Sequence, residues 1–203
     1  MRTLLLLFVL SSATLHAQYE GLWEGYDGEW AHVSRQLIAL AEATPPEAYA
    51  WRPAPGVRST SEVYMHIALA NFYLLSVTGP PMPPDIKSND MEKTVTSKAD
   101  VISFLKRSLD AVKTARAQLK PADLQRKIKI EGKTVIVDGM YLRIIVHDNE
   151  HMRHLIAYAR RNGIVPRGQR LNQFQLQLGN PVGSYLESVC CGMRIQVTSP
   201  SSV

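Results

Sequence analysis

Two histidines, His147 and His151, are four residues apart in a segment with the periodicity of an amphipathic helix. This spacing places two side chains on one face of an α-helix, one turn apart. The same face carries the apolar residues Met140, Ile144, Leu155 and Tyr158. Burying an imidazole without a polar partner costs about 1–3 kcal/mol, and a shared metal ion would satisfy both rings. The pattern predicts either two core histidines with separate partners or part of a metal site.

A helical pair supplies only two ligands, whereas a catalytic zinc site usually has three protein ligands and an open position. The pair is not the H-E-x-x-H motif of zinc proteases, because Asp148 follows the first histidine where that motif has glutamate. Outside the cluster the chain has His16, His32 and His66. His66 flanks the apolar stripe of a predicted second helix, about 60° from its centre. It can therefore point inward beside the core, as a ligand donated across a helix–helix interface would.

Two separated motifs resemble the DinB/YfiT-like superfamily. The first is WRPAPGVRS at 51–59 followed by SEVYMH at 61–66; the second is the histidine pair followed by IAYAR at 156–160 and NGIVP at 162–166. The match covers roughly residues 20–166. The resemblance implies a four-helix bundle that holds a divalent metal between its second and last helices. By position, the implied ligands are His66, His147 and His151.

The residue after the implied ligands departs from the family pattern. Members commonly have Gly-Gln there, whereas this chain has Arg153-His154. His154 shares the helical face of His147 and His151, so it is a competing ligand, a polar neighbour of the site or an acid–base group. We take His154 as the candidate catalytic residue. Imidazole suits zinc, nickel, copper and iron alike, and we expect zinc or nickel.

Three neutral histidines around one ion leave at least one coordination position for water or substrate. We therefore expect a metal-dependent enzyme that acts on a small molecule, by hydrolysis or by activation of a nucleophile. The resemblance also implies thiol transfer or thiol-dependent isomerisation, which several relatives carry out. The alternative is a non-catalytic bundle that serves as a binding module, in which the metal is structural or the site has lapsed.

The first 17 residues read as a secretory signal peptide. A basic residue, Arg2, precedes the apolar run 3–10, and a small residue, Ala17, stands at the expected cleavage point. The run is too short for a membrane-spanning helix, which needs about 20 residues. We expect a secreted or periplasmic protein that has no membrane segment after cleavage. An exported chain lacks ready access to cytosolic thiol pools, which weakens the thiol-transferase interpretation.

Composition gives little reason to expect a macromolecular partner. The net charge of +5 is modest and the basic residues are scattered along the chain. The chain has neither an RNA-binding signature nor helix-turn-helix spacing, so we expect no nucleic-acid binding. A small-molecule substrate is the expected partner, and a homodimer is left open.

Periodic segments separated by proline or glycine predict an all-α, four-helix bundle over residues 18–166. The predicted helices begin near Trp23, near Ser59 or Ser61, near Ser97 and near Asp138. Two β-rich runs, 127–130 and 134–137, flank a Glu-Gly-Lys turn and predict a short β-hairpin before the last helix.

The remainder, 167–203, does not align with the family, and we expect a poorly ordered or irregular tail. Its adjacent cysteines, Cys190 and Cys191, are the only two in the chain. A disulfide between neighbouring residues would be strained, because their Cα atoms are only about 3.8 Å apart. An intermolecular link and free thiols remain as alternatives.

Overall fold

Four long helices alternate with short elements in the computed structural model, which describes residues 25–164. In chain order the elements are α1 (Tyr26–Ala43), a 3₁₀ helix (Pro46–Ala50), α2 (Thr60–Thr78), α3 (Met91–Thr94), α4 (Lys98–Ala117), α5 (Pro121–Leu124), β1 (Lys127–Ile130), β2 (Lys133–Ile136) and α6 (Val137–Arg161). The predicted four-helix architecture with a hairpin before the last helix is confirmed. The three short helices were not predicted.

The long helices form a bundle in which α2 packs against α4 and α6, and α1 packs against the same two helices from the opposite side. Helix α2 is buried around most of its circumference, which is why it is apolar on several faces instead of one. Helices α2 and α6 run antiparallel: the Tyr158 hydroxyl donates to the Arg58 carbonyl at one end, and the Arg126 guanidinium donates to the Thr78 carbonyl at the other. This antiparallel pair carries the histidines.

Local sequence signals explain where the helices begin and end. Ser59 caps α2 through a capping box in which its side chain accepts from the Glu62 amide and the Glu62 carboxylate accepts from the Ser59 amide. Ser97 caps α4 in the predicted position. Helix α6 ends at Arg161, and Gly163 follows it with a φ of 69°, which glycine adopts without strain. Trp23, where α1 was predicted to begin, lies outside the described residues.

The hairpin has a tighter turn than the predicted three-residue one. Ile130 pairs with Lys133, so the loop consists of Glu131 and Gly132 alone, and both have positive φ. Two successive residues with positive φ are typical of the two-residue turns that match strand twist. Ile128 is the buried residue of the pair of strands and joins the bundle core.

Within residues 25–164, no helix combines the length and apolarity needed to cross a membrane. The predicted signal peptide (1–17) and tail (167–203), with Cys190 and Cys191, lie outside the described residues.

Burial of tyrosines makes the fold sensitive to alkali. Tyr64 is 1% exposed, and burial raises its pKa well above the ordinary value of 10.0. The hydroxyl thus stays protonated in the fold but ionises in the unfolded chain once the pH passes 10, so stability is present below that pH and falls above it. Above pH 10 we expect the free energy of unfolding of Tyr64→Phe to fall less steeply with pH than that of the parent, by about 1.4 kcal/mol per pH unit. Urea unfolding at a series of alkaline pH values measures it, and identical slopes for both proteins would contradict the expectation.

Candidate metal centre

His66, His147 and His151 converge at the interface between α2 and α6. One ligand atom from each lies within 4.8 Å of those of the other two, and among the described residues no further histidine, cysteine or acidic residue belongs to this group. The ring centroids are 4.5–5.2 Å apart. Across the two helices, His66 Nε2 and His147 Nε2 are 3.3 Å apart. The three histidines are therefore positioned to bind a metal ion.

The orientation of His66 is set by a carboxylate from α3. The Nδ1 of His66 donates to Glu92 Oε2 at 3.0 Å, while the other oxygen of Glu92 accepts from Arg58 Nε at 2.5 Å. A hydrogen on Nδ1 leaves a lone pair on Nε2, which faces the other histidines. Carboxylates commonly fix histidine ligands in this manner.

The donor set fits a divalent ion such as zinc or nickel. Two imidazole nitrogens on one tetrahedral zinc, each about 2.0–2.1 Å from it, are about 3.3 Å apart. That value matches the spacing of His66 Nε2 and His147 Nε2. The Nδ1 atoms of His147 and His151 are buried and have no hydrogen-bond partner among the described residues. An unpartnered nitrogen of His151 is thus available to an ion, whereas the Nδ1 of His147 lies 3.9 Å from Asp148 Oδ1, because the Nε2 of that ring is the atom near His66.

Electrostatics keep two of the histidines neutral, as ligation requires. Burial, aided by the charge of Arg58, lowers the pKa of His66 despite the opposing effect of Glu92. Burial and then the neighbouring histidines lower the pKa of His151 to about 4. Both rings therefore have a lone pair available at neutral pH.

A buried polar group lies directly behind the histidines. Asp148 is 0% exposed, and burial raises the pKa of its carboxyl to about 6. Its Oδ2 accepts from Asn71 Nδ2 at 3.3 Å, and the same amide nitrogen donates to Ser108 Oγ at 3.4 Å. Its Oδ1 is 3.9 Å from His147 Nδ1, which is a charge contact and too long for a hydrogen bond. Asp148 thus joins α6 to α2 and α4 beneath the candidate site.

A cavity of about 810 Å³ lies beside the histidine cluster, and of the three converging histidines only His151 lines it. His154 also lines the cavity, and the remaining lining comes mostly from the segment before α2, from α3 and from Tyr158 on α6. The ring of His154 is 5.5 Å from that of His151, yet His154 is exposed and is not part of the converging group. The structure therefore brings His154 beside the candidate site, at the wall of the cavity.

Sequence reasoning found the three converging histidines and His154 but missed Glu92 and Asp148. Glu92 lies in a four-residue helix within a segment that has no clear periodicity, so nothing marked it as a neighbour of His66. Asp148 was noted only as a mismatch to the zinc-protease motif. The signal available was its position next to His147 on a helix whose neighbouring positions are apolar.

Residues 29–155 match the model of the DinB superfamily. No curated protein matches the sequence. Among solved structures, the fold is similar to the crystal structure of a DinB-like protein from Bacillus cereus ATCC 10987, with a TM-score of 0.63, 21% identity and coverage of 73% of this chain and 97% of the other.

A DinB-like protein from Bacillus subtilis is also similar, with a TM-score of 0.53, 19% identity and coverage of 68% of this chain and 92% of the other. At these identities the two structures support the fold alone.

Proposed function

Because the chain belongs to the DinB superfamily and brings three histidines together beside a cavity that His151 lines, we propose that it is a metal-dependent enzyme acting on a small molecule. His66, His147 and His151 would hold one divalent ion, zinc or nickel. The observation that supports catalysis over a structural role is the lack, within residues 25–164, of a fourth ligand in the converging group. A catalytic zinc site usually has three protein ligands and an open position, whereas a structural one is closed by a fourth.

The ion and the side chains of the site would have separate roles in the reaction. A divalent ion at this position would polarise a substrate oxygen and favour deprotonation of a nucleophile, either water or a thiol. Glu92 holds the His66 ring in the orientation that presents Nε2. His154 lies at the cavity wall, where one of its ring nitrogens can take a proton from a nucleophile or return one to a leaving group. Hydrolysis and thiol transfer both fit this arrangement, and export favours hydrolysis.

We also propose that the protein is exported from the cytoplasm. Export is supported by the basic, apolar and small-residue regions of residues 1–17. We expect N-terminal sequencing of the mature protein to begin near Gln18 and fractionation to find it outside the cytoplasm. Cytoplasmic protein that retains Met1 would contradict export without affecting the proposed metal site.

Metal content is the first test of the proposal. Protein purified without chelators, and apoprotein titrated with zinc, nickel or cobalt, should bind about one ion per chain by elemental analysis. The cobalt form should have the intense visible bands of four- or five-coordinate cobalt. Protein that remains metal-free after titration would instead favour the second candidate, a bundle with a lapsed site. A closed, tetrahedral site that admits no exogenous ligand would favour a structural metal.

Replacement of His154 by glutamine tests whether His154 transfers protons or binds the metal. We expect His154→Gln to keep the metal stoichiometry unchanged, because His154 lies outside the converging group. Hydrolysis of an ester identified by screening 4-nitrophenyl substrates should fall by about 10²–10⁴-fold, the usual contribution of an acid–base group. If the variant loses its metal, His154 is a ligand and its assignment as an acid–base group is wrong.

A further inference from the structure

The lining of the cavity is rich in cations. Arg52, Arg58 and Lys93 line it, together with two carboxylates, Glu62 and Glu92. Three fixed positive charges thus face two negative ones, before any contribution from a divalent ion. A cavity of this size is within the range of small-molecule sites.

The two carboxylates are already engaged by protein donors. The oxygens of Glu62 accept from Arg52 Nη2 at 2.9 Å and from the Ser59 amide at 2.7 Å. Those of Glu92 accept from Arg58 and His66, as described above. Each carboxylate therefore has both oxygens engaged by donors, and neither needs a further donor from a ligand.

In contrast, Arg58 and Lys93 have hydrogen-bond donors that are not paired with an acceptor among the described residues. The guanidinium of Arg58 uses its Nε on Glu92, and its two Nη atoms have no hydrogen-bond partner among the described residues. Within residues 25–164 the Nζ of Lys93 likewise makes no hydrogen bond or close ion pair, and its charge acts on the Glu62 carboxylate only at longer range. Arginine presents its terminal N–H groups in a planar fork that matches anionic oxygens. The part of the cavity lining formed by Arg58 and Lys93 thus offers donors without acceptors.

We propose that the cavity takes a small organic anion whose carboxylate or phosphate group pairs with Arg58 and Lys93 while its other end reaches, beside His151, the ion that the three histidines would hold. This inference rests on the proposed function, since the histidine end requires the metal. It names a substrate class: anionic small molecules with a metal-coordinating group at the far end. Neutral molecules of the same shape would lack the ion pairs and bind more weakly.

Hydroxamates of matched length test the substrate class, because the hydroxamate head coordinates a metal independently of the tail. Zinc-loaded protein would be titrated by calorimetry with alkyl hydroxamates whose tails end in a methyl, a carboxylate or a phosphonate, over several chain lengths. We expect the methyl-tailed compound to bind through its head alone. The better of the anionic tails should bind about 5–10-fold more tightly, and the two anionic arms tell carboxylate from phosphate preference.

Two lysine variants assign the effect to the cavity. Lys93→Gln should remove most of the advantage of the anionic tail and leave the affinity for the methyl tail unchanged. Lys113→Gln is the matched control, since Lys113 is exposed on α4 and does not line the cavity. Salt raised from about 0.1 M to about 1 M should also reduce the advantage, because exposed charges are screened.

The outcomes separate the two proposals. Equal affinity for methyl and anionic tails at every length, or equal behaviour of the two lysine variants, overturns the anion site and leaves the metal site standing. Failure of every hydroxamate to bind zinc-loaded protein overturns the open metal site, and the anion proposal with it.

Discussion

Replacing His151 with alanine is expected to reduce the affinity for zinc by more than about a hundredfold. The free energy of zinc binding in structural sites is roughly 10–16 kcal/mol over the whole ligand set. The loss of one of three imidazoles should therefore remove a large share of the binding free energy. The two histidines that remain, His66 and His147, come from different helices and cannot hold the ion as a chelating pair on one helix would. Competition with a chromophoric zinc chelator gives the affinity of each protein.

His32→Ala is the matched control for this loss. His32 is a partly buried histidine of α1 and is not part of the converging group, so its replacement should leave the zinc affinity unchanged. Circular dichroism of both variants without metal establishes that they fold. Retention of wild-type affinity in His151→Ala, or a loss of affinity in both variants, would show that the ligand assignment is wrong.

Leu105→Ala should cause a large loss of stability in the bundle. Leu105 lies on α4 and is 0% exposed. Deleting its buried methyl groups leaves a cavity between tightly packed helices, which typically costs about 2–5 kcal/mol. For a chain of this size that corresponds to a fall in Tm of roughly 5–20 °C.

Leu142→Ala is the matched control, because Leu142 is also helical but is 60% exposed on α6. Leucine and alanine have similar helix propensities, so this change should stay within about 0.5 kcal/mol of the parent. Thermal and urea unfolding of the two variants in parallel provide the comparison. A stability loss of equal size in both would mean that Leu105 is not packed as the structure has it.

The spacing of apolar residues was sufficient to predict the bundle and the histidine cluster, because helical periodicity is a local property. The position of Ser97 before a polar first turn predicted a helix start, and Asn162-Gly163 predicted a helix end, by the same local rules. His147 and His151 were placed together by one turn of helix. His66 was added by its flanking position and by the family resemblance.

The parts that could not be predicted depend on contacts between distant segments. Glu92 reaches His66 from 26 residues away, and no local pattern in the segment around α3 specifies that approach. The burial of Asp148 likewise depends on which helices pack nearby, because α2 supplies its partner Asn71 and α4 supplies Ser108, which accepts from Asn71. The hairpin was predicted, but its two-residue turn was set by strand register.

The separation of the ligands along the chain also makes the metal centre a reporter of folding. His66 and His147 are 81 residues apart in sequence and meet only when α2 docks against α6. A chain in which α6 alone were helical would still present His147 and His151 one turn apart, as a weak two-ligand site. Tight metal binding therefore requires that α2 has docked against α6. The rate at which tight binding appears during refolding would measure the rate of this docking, separately from the rate at which the helices form.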